Sequence, residues 1–143
     1  MILVDVNLLV YAHFSRYAEH ERSRIWLDAQ FSSGTRIGLP WASLVAFLRL
    51  TTSRRIFPNP QSIAGAWSQV CSWFEHPSAW IPEPTERHSL ILGRLLTETP
   101  ATGDLVSDAY LAALAIEHGL TLCSNDRDFL KFEGLRYQNP LDT

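Results

Sequence analysis

Short apolar runs alternate along this chain with longer stretches in which apolar residues recur every three or four positions. The short runs are typical of buried parallel strands, and the longer stretches are typical of helices that bury one face. The predicted strands are residues 1–4, 36–39, 80–81, 120–123 and 135–137, the last of them at a sheet edge. This alternation predicts an α/β fold, a three-layer α/β/α domain with a short central parallel sheet.

Start and stop signals predict the helices between these strands. A short helix follows Asp5 with Asn7 as its cap, and Asn59 followed by Pro60 predicts the start of another. Further helices are predicted over residues 19–31, from Pro40 through Thr51, from a Thr85 cap through Leu96, and from residue 104 or 105 to 118. Gly119 then supplies the left-handed residue that commonly ends a helix.

Two of these helices have apolar faces that we expect to be buried. The first face comprises Ile25, Trp26, Leu27 and Ala29. The second, in the helix after Pro60, comprises Ile63, Trp67, Val70, Cys71 and Phe74. Their spacing of three and four residues places each set on one side of its helix.

Composition limits the class of protein. With 143 residues, 46% of them hydrophobic, the chain is expected to form a single domain, residues 1–143, with a sizeable core. Its net charge of -3 requires any nucleic-acid partner to bind a local patch. Cys71 and Cys123 lack metal-ligand spacing, which predicts buried thiols in a reducing compartment. The first strand begins at Met1, and no apolar stretch reaches the roughly twenty residues that span a bilayer, so we expect a cytoplasmic protein.

Three aspartates stand where a ligand site is expected. Asp5 ends the first apolar run, Asp126 follows the strand at 120–123, and Asp108 lies near the start of a predicted helix. In open α/β sheets, ligands bind in the crevice beyond the carboxyl ends of the strands. Hard oxygen ligands gathered there predict a divalent cation.

Four segments of the sequence resemble one family. They are residues 5–12, the Phe47-Leu48-Arg49 segment followed by Thr51 and Thr52, residues 108–119, and residues 124–129. Over nearly its full length the chain resembles the PIN-domain ribonucleases, and most closely the VapC-type toxins of bacterial toxin–antitoxin pairs. The resemblance implies a PIN-like fold and hydrolysis of RNA in transfer or ribosomal RNA loops, leaving a 5′ phosphate. Mg²⁺ or Mn²⁺ is expected at Asp5, Asp108 and Asp126.

The resemblance also implies partners. It predicts a homodimer and a VapB-type antitoxin as partners. The chain itself would contact DNA only indirectly, through that antitoxin. Large apolar side chains exceed what a small domain readily hides, so a dimer mate and an antitoxin segment are expected to cover part of them. These side chains are Trp26, Leu27, Phe31, Leu44, Phe47, Leu48, Phe57 and Trp67.

One departure from the family pattern concerns the metal site. The family usually has a glutamate three residues before the arginine of the third helix, and here Ala46 precedes Arg49 at that spacing. Asp104, one helical turn before Asp108, either caps its helix or supplies the missing charge. Two other functions stay open. One is a phosphatase-like metal hydrolase on a related scaffold, because a metal held by aspartates also serves small phosphate esters, and the other is a catalytically impaired PIN binding module, which Ala46 would explain.

Other polar residues have two interpretations each. Asn7 and Ser124 either position water or phosphate, or form caps and turns. Asp126 either contacts the metal directly, or forms a turn or orients water, whereas Asp128 is expected to make local hydrogen bonds. Arginines 49, 54 and 55 either contact the RNA backbone or form surface ion pairs.

Overall fold

The structure is a computed structural model that describes residues 1–142. Within this range the strands are β1 (Ile2–Val4), β2 (Ile37–Gly38), β3 (Ala79–Trp80), β4 (Thr121–Cys123) and β5 (Tyr137–Gln138). The helices are α1 (Val6–His13), α2 (His20–Ser32), α3 (Trp41–Thr51), α4 (Ile63–Trp73), α5 (His88–Glu98) and α6 (Asp104–His118), and a 3-10 helix spans Arg127–Lys131. Each predicted strand is present within about two residues of its expected position.

All five strands are parallel and lie in the order β3-β2-β1-β4-β5. The chain therefore builds the sheet outward from β1 to β3, then returns to the other side of β1 with β4. In the central pair, Leu3 aligns with Leu122 and Val4 aligns with Cys123. The residues that follow these two strands meet at one edge, at the point where the direction of winding reverses.

Two apolar clusters occupy the two faces of the sheet. Along β1, Ile2 and Val4 pack with residues of α1 to α4, whereas Leu3 packs with residues of α5 and α6. Alternating strand residues point to opposite faces, so a strand buried on both sides needs an uninterrupted apolar run. The predicted three-layer α/β/α architecture is confirmed.

Helix starts differ from several predictions because nearby contacts compete for the capping groups. Helix α1 is capped by Asp5 rather than Asn7. Helix α4 begins at Ile63 with Ser62 as its cap, since the backbone N–H of Gln61 is donated to the end of α3. Helix α5 begins only at His88 and has no side-chain cap; the hydroxyl of Thr85 instead accepts a hydrogen bond from the backbone N–H of Arg87, in the turn before the helix, and donates one to Glu117. The predicted stop of α6 at Gly119 is confirmed, with a left-handed φ of 67°.

The buried faces of α2 and α4 were predicted only in part: Leu27 and Val70 are buried as expected, but no other residue of the two predicted faces is. In α2 the buried residues are Ser23 and Leu27, while Ile25 is 55% exposed. In α4 the buried residues are Ala66, Val70 and Trp73, and the exposed ones are Ile63, Trp67, Ala64 and Cys71. Helix α4 contains no charged residue, so its apolar pattern marks no unique inner face.

The large apolar side chains that are exposed are mostly not the ones predicted to be covered by a partner. Leu27, Leu44, Phe47 and Phe57 are all buried in the chain's own core. The exposed large apolar residues are Met1, Ile25, Trp41, Val45, Ile56, Ile63, Trp67, Leu90, Val106 and Leu130. Cys123 is buried as predicted, and burial raises the pKa of its thiol to about 12. No helix among residues 1–142 combines the length and apolar character needed to cross a bilayer.

Candidate metal centre

Asp5 connects the central strand to the first helix. Its backbone N–H donates to the carbonyl oxygen of Cys123 at the end of β4, and its side chain caps α1. The Oδ1 atom accepts a hydrogen bond from the backbone N–H of Val6 at 2.8 Å, and Oδ2 accepts one from the hydroxyl of Ser124 at 2.7 Å. The residue is only 8% exposed, so this carboxylate is held in one orientation beneath the sheet edge.

Three further aspartates form a cluster beside this edge. One carboxylate oxygen from each of Asp108, Asp126 and Asp128 lies within 4.8 Å of the others. Asp108 is in the second turn of α6, Asp126 caps the 3-10 helix, and Asp128 lies inside that helix. The Oδ1 atom of Asp126 accepts a hydrogen bond from the backbone N–H of Asp128 at 2.9 Å. Asp126 therefore forms a turn and also belongs to the cluster, although these two roles were predicted as alternatives.

Electrostatics distinguishes Asp108 from an ordinary surface carboxylate. Burial raises its pKa to about 6, with further contributions from the negative charges of Asp126, Asp5, Asp128 and Asp104. The pKa of Asp5 is also raised, mainly by burial, although hydrogen bonds from Ser124 and Val6 oppose the rise. Within residues 1–142 nothing donates a hydrogen bond to the Asp108 carboxylate. Repulsion among these groups favours binding of a cation.

Ser124 joins the two acidic segments. Its hydroxyl donates to Asp5 and accepts hydrogen bonds from the side-chain amide of Asn7 at 3.2 Å and the backbone N–H of Asp126 at 2.9 Å. Asn7 also accepts a bond from the backbone N–H of Asn125. Asn7 and Ser124 therefore fix the geometry of the carboxylates by hydrogen bonds.

A groove of about 600 Å³ opens between α3 and α6, and both Asp5 and Asp108 line it. Ala46 and Arg49 line one wall, and Asp104 and Asp108 line the other, with Asp5 at the base. Exposed apolar side chains, Val45 and Val106, extend the walls. The departure at position 46 thus lies in the site itself.

The N-cap interpretation of Asp104 is wrong. Gly103 occupies the cap position of α6, and no side chain forms a capping hydrogen bond there. Asp104 instead lies in the first turn, is exposed and lines the groove one turn from Asp108. Its backbone position leaves the carboxylate free of the capping bond that the sequence predicted.

Two features of the cluster were missed or underestimated from the sequence. Asp128 was expected to make local hydrogen bonds, but its side chain also approaches Asp108 and Asp126. Lys131, the chain's sole lysine, lies 3.2 Å from the Oδ1 atom of Asp128. The spacing of three residues between Asp128 and Lys131 was an available signal for this pair.

Comparisons with known proteins show which family this chain resembles in sequence and fold. The PIN domain family model matches residues 2–135. Ribonuclease VapC37 of Mycobacterium tuberculosis is 44% identical over 140 residues, covering 98% of this chain and 97% of the relative. Ribonuclease VapC43 of the same organism is 39% identical over 142 residues, covering 99% and 97%. VapBC2 from Rickettsia felis, solved bound to a promoter DNA fragment, matches the fold with a TM-score of 0.69 at 19% identity, covering 97% of this chain and 98% of that one.

Proposed function

The chain belongs to the PIN-domain family and, within it, to the VapC ribonucleases, and we propose that it is a metal-dependent endoribonuclease acting as the toxin of a VapBC-type pair. The observation that supports the proposal is the cluster of Asp108 and Asp126 with Asp128, which lies near Asp5: the negative charges of Asp126 and Asp5 both contribute to the raised pKa of Asp108. The proposal treats residues 1–143 as one catalytic domain and locates it in the cytoplasm, where transfer and ribosomal RNA are found.

The donor set fits Mg²⁺ or Mn²⁺. All the candidate ligands are carboxylate oxygens, which these hard cations prefer, and Mg²⁺ needs only one or two carboxylates besides water and substrate phosphate. Asp5, Asp108 and Asp126 would hold the ion. When bound, it would stabilise the negative charge that develops on the phosphodiester oxygens during hydrolysis and lower the pKa of the attacking water.

The chain's own residues provide positioning. The hydroxyl of Ser124 fixes the Asp5 carboxylate, and Asn7 in turn fixes that hydroxyl. Because these contacts are side-chain hydrogen bonds between the ends of β1 and β4, they hold Asp5 and Asp126 together before substrate arrives. Such preorganisation avoids rearrangement of the charged groups during the reaction.

Two carboxylates could replace the charge of the glutamate that the family usually has at the position of Ala46. Asp104 lies on the same wall as Asp108, and Asp128 lies within the aspartate cluster. Asp128 already faces the ammonium of Lys131, which neutralises part of its charge. We therefore assign the compensating role to Asp104, which forms no ion pair with any residue in the range 1–142.

The two alternative functions make different demands on the same residues. An aspartyl-phosphate phosphatase would favour a second aspartate two residues after Asp5, but Asn7 stands there and donates its amide to Ser124. An impaired binding module would retain the partner surfaces without a functional metal site. The clustered carboxylates and the raised pKa of Asp108 favour the metal-dependent nuclease over this module.

The proposed partners are a second copy of the chain and a VapB-type antitoxin that also contacts DNA. Exposed apolar side chains on α3, α4 and α6 support a covered surface, including Val45, Trp67 and Val106. Light scattering is expected to give a dimer at micromolar concentration. Co-expression with the neighbouring small reading frame is expected to yield a complex in which RNA cleavage is suppressed. A monomer, or purification without a small partner, would contradict the corresponding half of this proposal.

Mapping of RNA ends provides the decisive experiment for the activity. The chain is expressed without an antitoxin, and new 5′-phosphate ends are mapped across cellular RNA, with Asp108→Asn as the matched control. We expect a few discrete new ends in transfer or ribosomal RNA loops that require Asp108. Identical end maps for the two proteins would reject the nuclease assignment, and metal-dependent release of phosphate from small esters alone would favour the phosphatase.

A further inference from the structure

Most arginines of this chain are engaged by neighbouring groups. Arg24, Arg94 and Arg127 form salt bridges, Arg16, Arg22 and Arg136 donate to backbone carbonyls, and Arg36 lies over the ring of Trp80. In the part of the chain that the structure describes, four arginines have no partner of any of these three kinds: Arg49, Arg54, Arg55 and Arg87. Three of these four fall between positions 49 and 55 and are exposed.

The local sequence offers these three arginines no counter-charge. Residues 29–74 contain four arginines and no aspartate or glutamate, although the chain as a whole has fifteen acidic residues and a net charge of -3. The ion-pair interpretation of the three arginines is therefore unsupported. Their guanidinium groups are available to a negatively charged partner from outside.

Arg49 places this positive charge at the groove. Ala42, Val45, Ala46 and Arg49 follow one face of α3 and all line the groove that contains Asp5 and Asp108. Because a helix rises about 1.5 Å per residue, Arg49 lies roughly 10 Å along α3 from Ala42. Positive charge thus begins on the same wall as the carboxylate site and continues beyond the end of the helix.

The turn that carries Arg54 and Arg55 is held in place. The backbone N–H of Phe57 donates to Ser53 at 3.0 Å, and Phe57 is 2% exposed. Arg16 donates to the carbonyl oxygen of Ile56 at 3.3 Å. Arg54 and Arg55 also lie beyond Thr52, the C-cap of α3. The helix dipole accounts for a cation in the last turn but not for two more after it.

From these observations we infer that Arg49, Arg54 and Arg55 form a binding site for the phosphodiester backbone of single-stranded RNA, which extends from the carboxylate groove along the end of α3. We call these three residues the arginine track. The inference rests on the proposed function, because it identifies where the substrate of that site is held outside the scissile bond. Its chemical basis is that the acidic groove repels phosphate, so flanking phosphates need a separate cationic surface.

Salt dependence of RNA binding tests the track directly. A fluorescent single-stranded RNA is titrated with the full chain in EDTA, which prevents turnover, and the binding constant is measured between about 50 and 200 mM salt. Each lost phosphate contact to a single strand lowers the slope of log K against log salt by about 0.7. The variant Arg54→Gln/Arg55→Gln is therefore expected to lose about 1.4 from the slope.

Two matched variants control for charge and for folding. Arg87→Gln/Arg94→Gln removes two positive charges at α5, which packs on the other face of the sheet from α3. It is expected to change the slope little. Arg54→Lys/Arg55→Lys keeps both charges at the track and is expected to retain the slope of the unmodified protein. Thermal unfolding of each variant confirms that it is folded under the conditions of the titration.

The possible outcomes separate this inference from the proposed function. An equal loss of slope in the α5 variant would show a general charge effect and overturn the track. An unchanged slope in Arg54→Gln/Arg55→Gln, with RNA cleavage by the unmodified protein intact, would remove the track and leave the nuclease standing. Loss of antitoxin binding without a change in slope would assign the surface to the protein partner instead. Failure of the unmodified protein to bind or cleave RNA would reject both.

Discussion

Helix α6 has an inward-facing carboxylate near each end, and the two differ in their hydrogen-bond partners and in the direction of their pKa shifts. At its last turn, Glu117 accepts hydrogen bonds from the backbone N–H and the hydroxyl of Thr85, both at 2.7 Å, and is paired with His88. Burial raises the pKa of Glu117, but the hydrogen bonds from His88 and Thr85 together outweigh burial and leave it below its usual value. The fold itself supplies everything this carboxylate needs.

Asp108, near the other end of the helix, lacks such partners. It faces other carboxylates, and its pKa is raised to about 6 by burial and by their charge. This contrast distinguishes the proposed metal-binding end of α6 from the structural end. A structural carboxylate is satisfied by groups of the fold, whereas a ligand carboxylate is left unfavourable until a cation from outside binds.

Substitution of each carboxylate by its amide is expected to separate the two ends most clearly. Asp108→Asn removes ligand charge with little change in volume. It should lower RNA cleavage by at least about a hundredfold, since metal stabilisation of the transition state is worth several kcal/mol. Steady-state cleavage in Mn²⁺ measures the rate, and isothermal titration measures Mn²⁺ affinity. Full activity in this variant would refute the site assignment.

Glu117→Gln is expected to affect stability instead of cleavage. The substitution removes the charge that pairs with His88 and weakens the hydrogen bonds with Thr85. It should lower the free energy of unfolding by about 2–3 kcal/mol, because these groups are buried and left partly unsatisfied. Urea unfolding measures the loss. Mn²⁺ affinity at a temperature where the variant is folded should equal that of the unmodified protein, and a large drop would argue that Glu117 also supports the metal site.

The two ends should also respond to pH with opposite signs. The pKa of Asp108 is raised from 3.8 to about 6, so the folded metal-free protein binds more protons than the unfolded chain in that window. The contribution of Asp108 to stability is therefore full below pH 3.8 and is lost as the pH rises through about 6. The lowered pKa of Glu117 acts in reverse: its contribution is present above its unfolded value and is lost as the pH falls.

Thermal melts in EDTA across this pH range measure both contributions. Asp108→Asn should stabilise the metal-free protein relative to the unmodified one by an amount that grows up to about pH 6. The destabilisation by Glu117→Gln should also grow as the pH rises through the acidic range. Addition of Mn²⁺ should abolish the advantage of Asp108→Asn. A change in stability of the same sign in both variants as the pH rises would contradict the contrast between the two ends.

The smallest expected effect concerns the charge missing at position 46. Asp104→Asn should lower Mn²⁺ affinity by roughly three- to tenfold, which is the Coulomb effect of one charge in a solvated groove. Ala46→Glu, introduced into that variant, should restore the affinity because position 46 lines the same groove. Titration calorimetry of the single and double variants measures both effects. No change in Asp104→Asn would leave Asp128 or water as the remaining source of compensation.

The sequence predicted the architecture well because the signals for it are local. Short apolar runs predicted which segments become strands, and Gly119 predicted where α6 ends. The order of strands and helices then favoured a parallel sheet, in which the carboxyl ends of all strands lie at one edge, whereas the strand order of the structure makes β1 and β4 neighbours. The family resemblance was confirmed by the family model and by the relatives, whereas the metal ligands remain predictions.

Inner faces and polar partners were less predictable. Helix α4 shows apolar spacing on more than one side, and only its neighbours select Ala66, Val70 and Trp73 for burial. The capping role expected for Asp104 was taken by Gly103. For Arg54 and Arg55, the ion-pair interpretation likewise lost support only because neither residue has an ion-pair partner within residues 1–142, and contact with the RNA backbone stays a prediction.

The order of elements, the class of fold and the placement of Asp5 and Asp126 shortly after strands thus follow from the sequence alone. In contrast, the packing of the whole chain leaves Asp108 without a hydrogen-bond donor from residues 1–142, while it provides Glu117 with several partners. A residue's propensity for helix or strand depends mainly on its neighbours in the chain. Its burial, its charge environment and its hydrogen bonds depend instead on segments that are distant in sequence and meet only when the sheet and helices pack together.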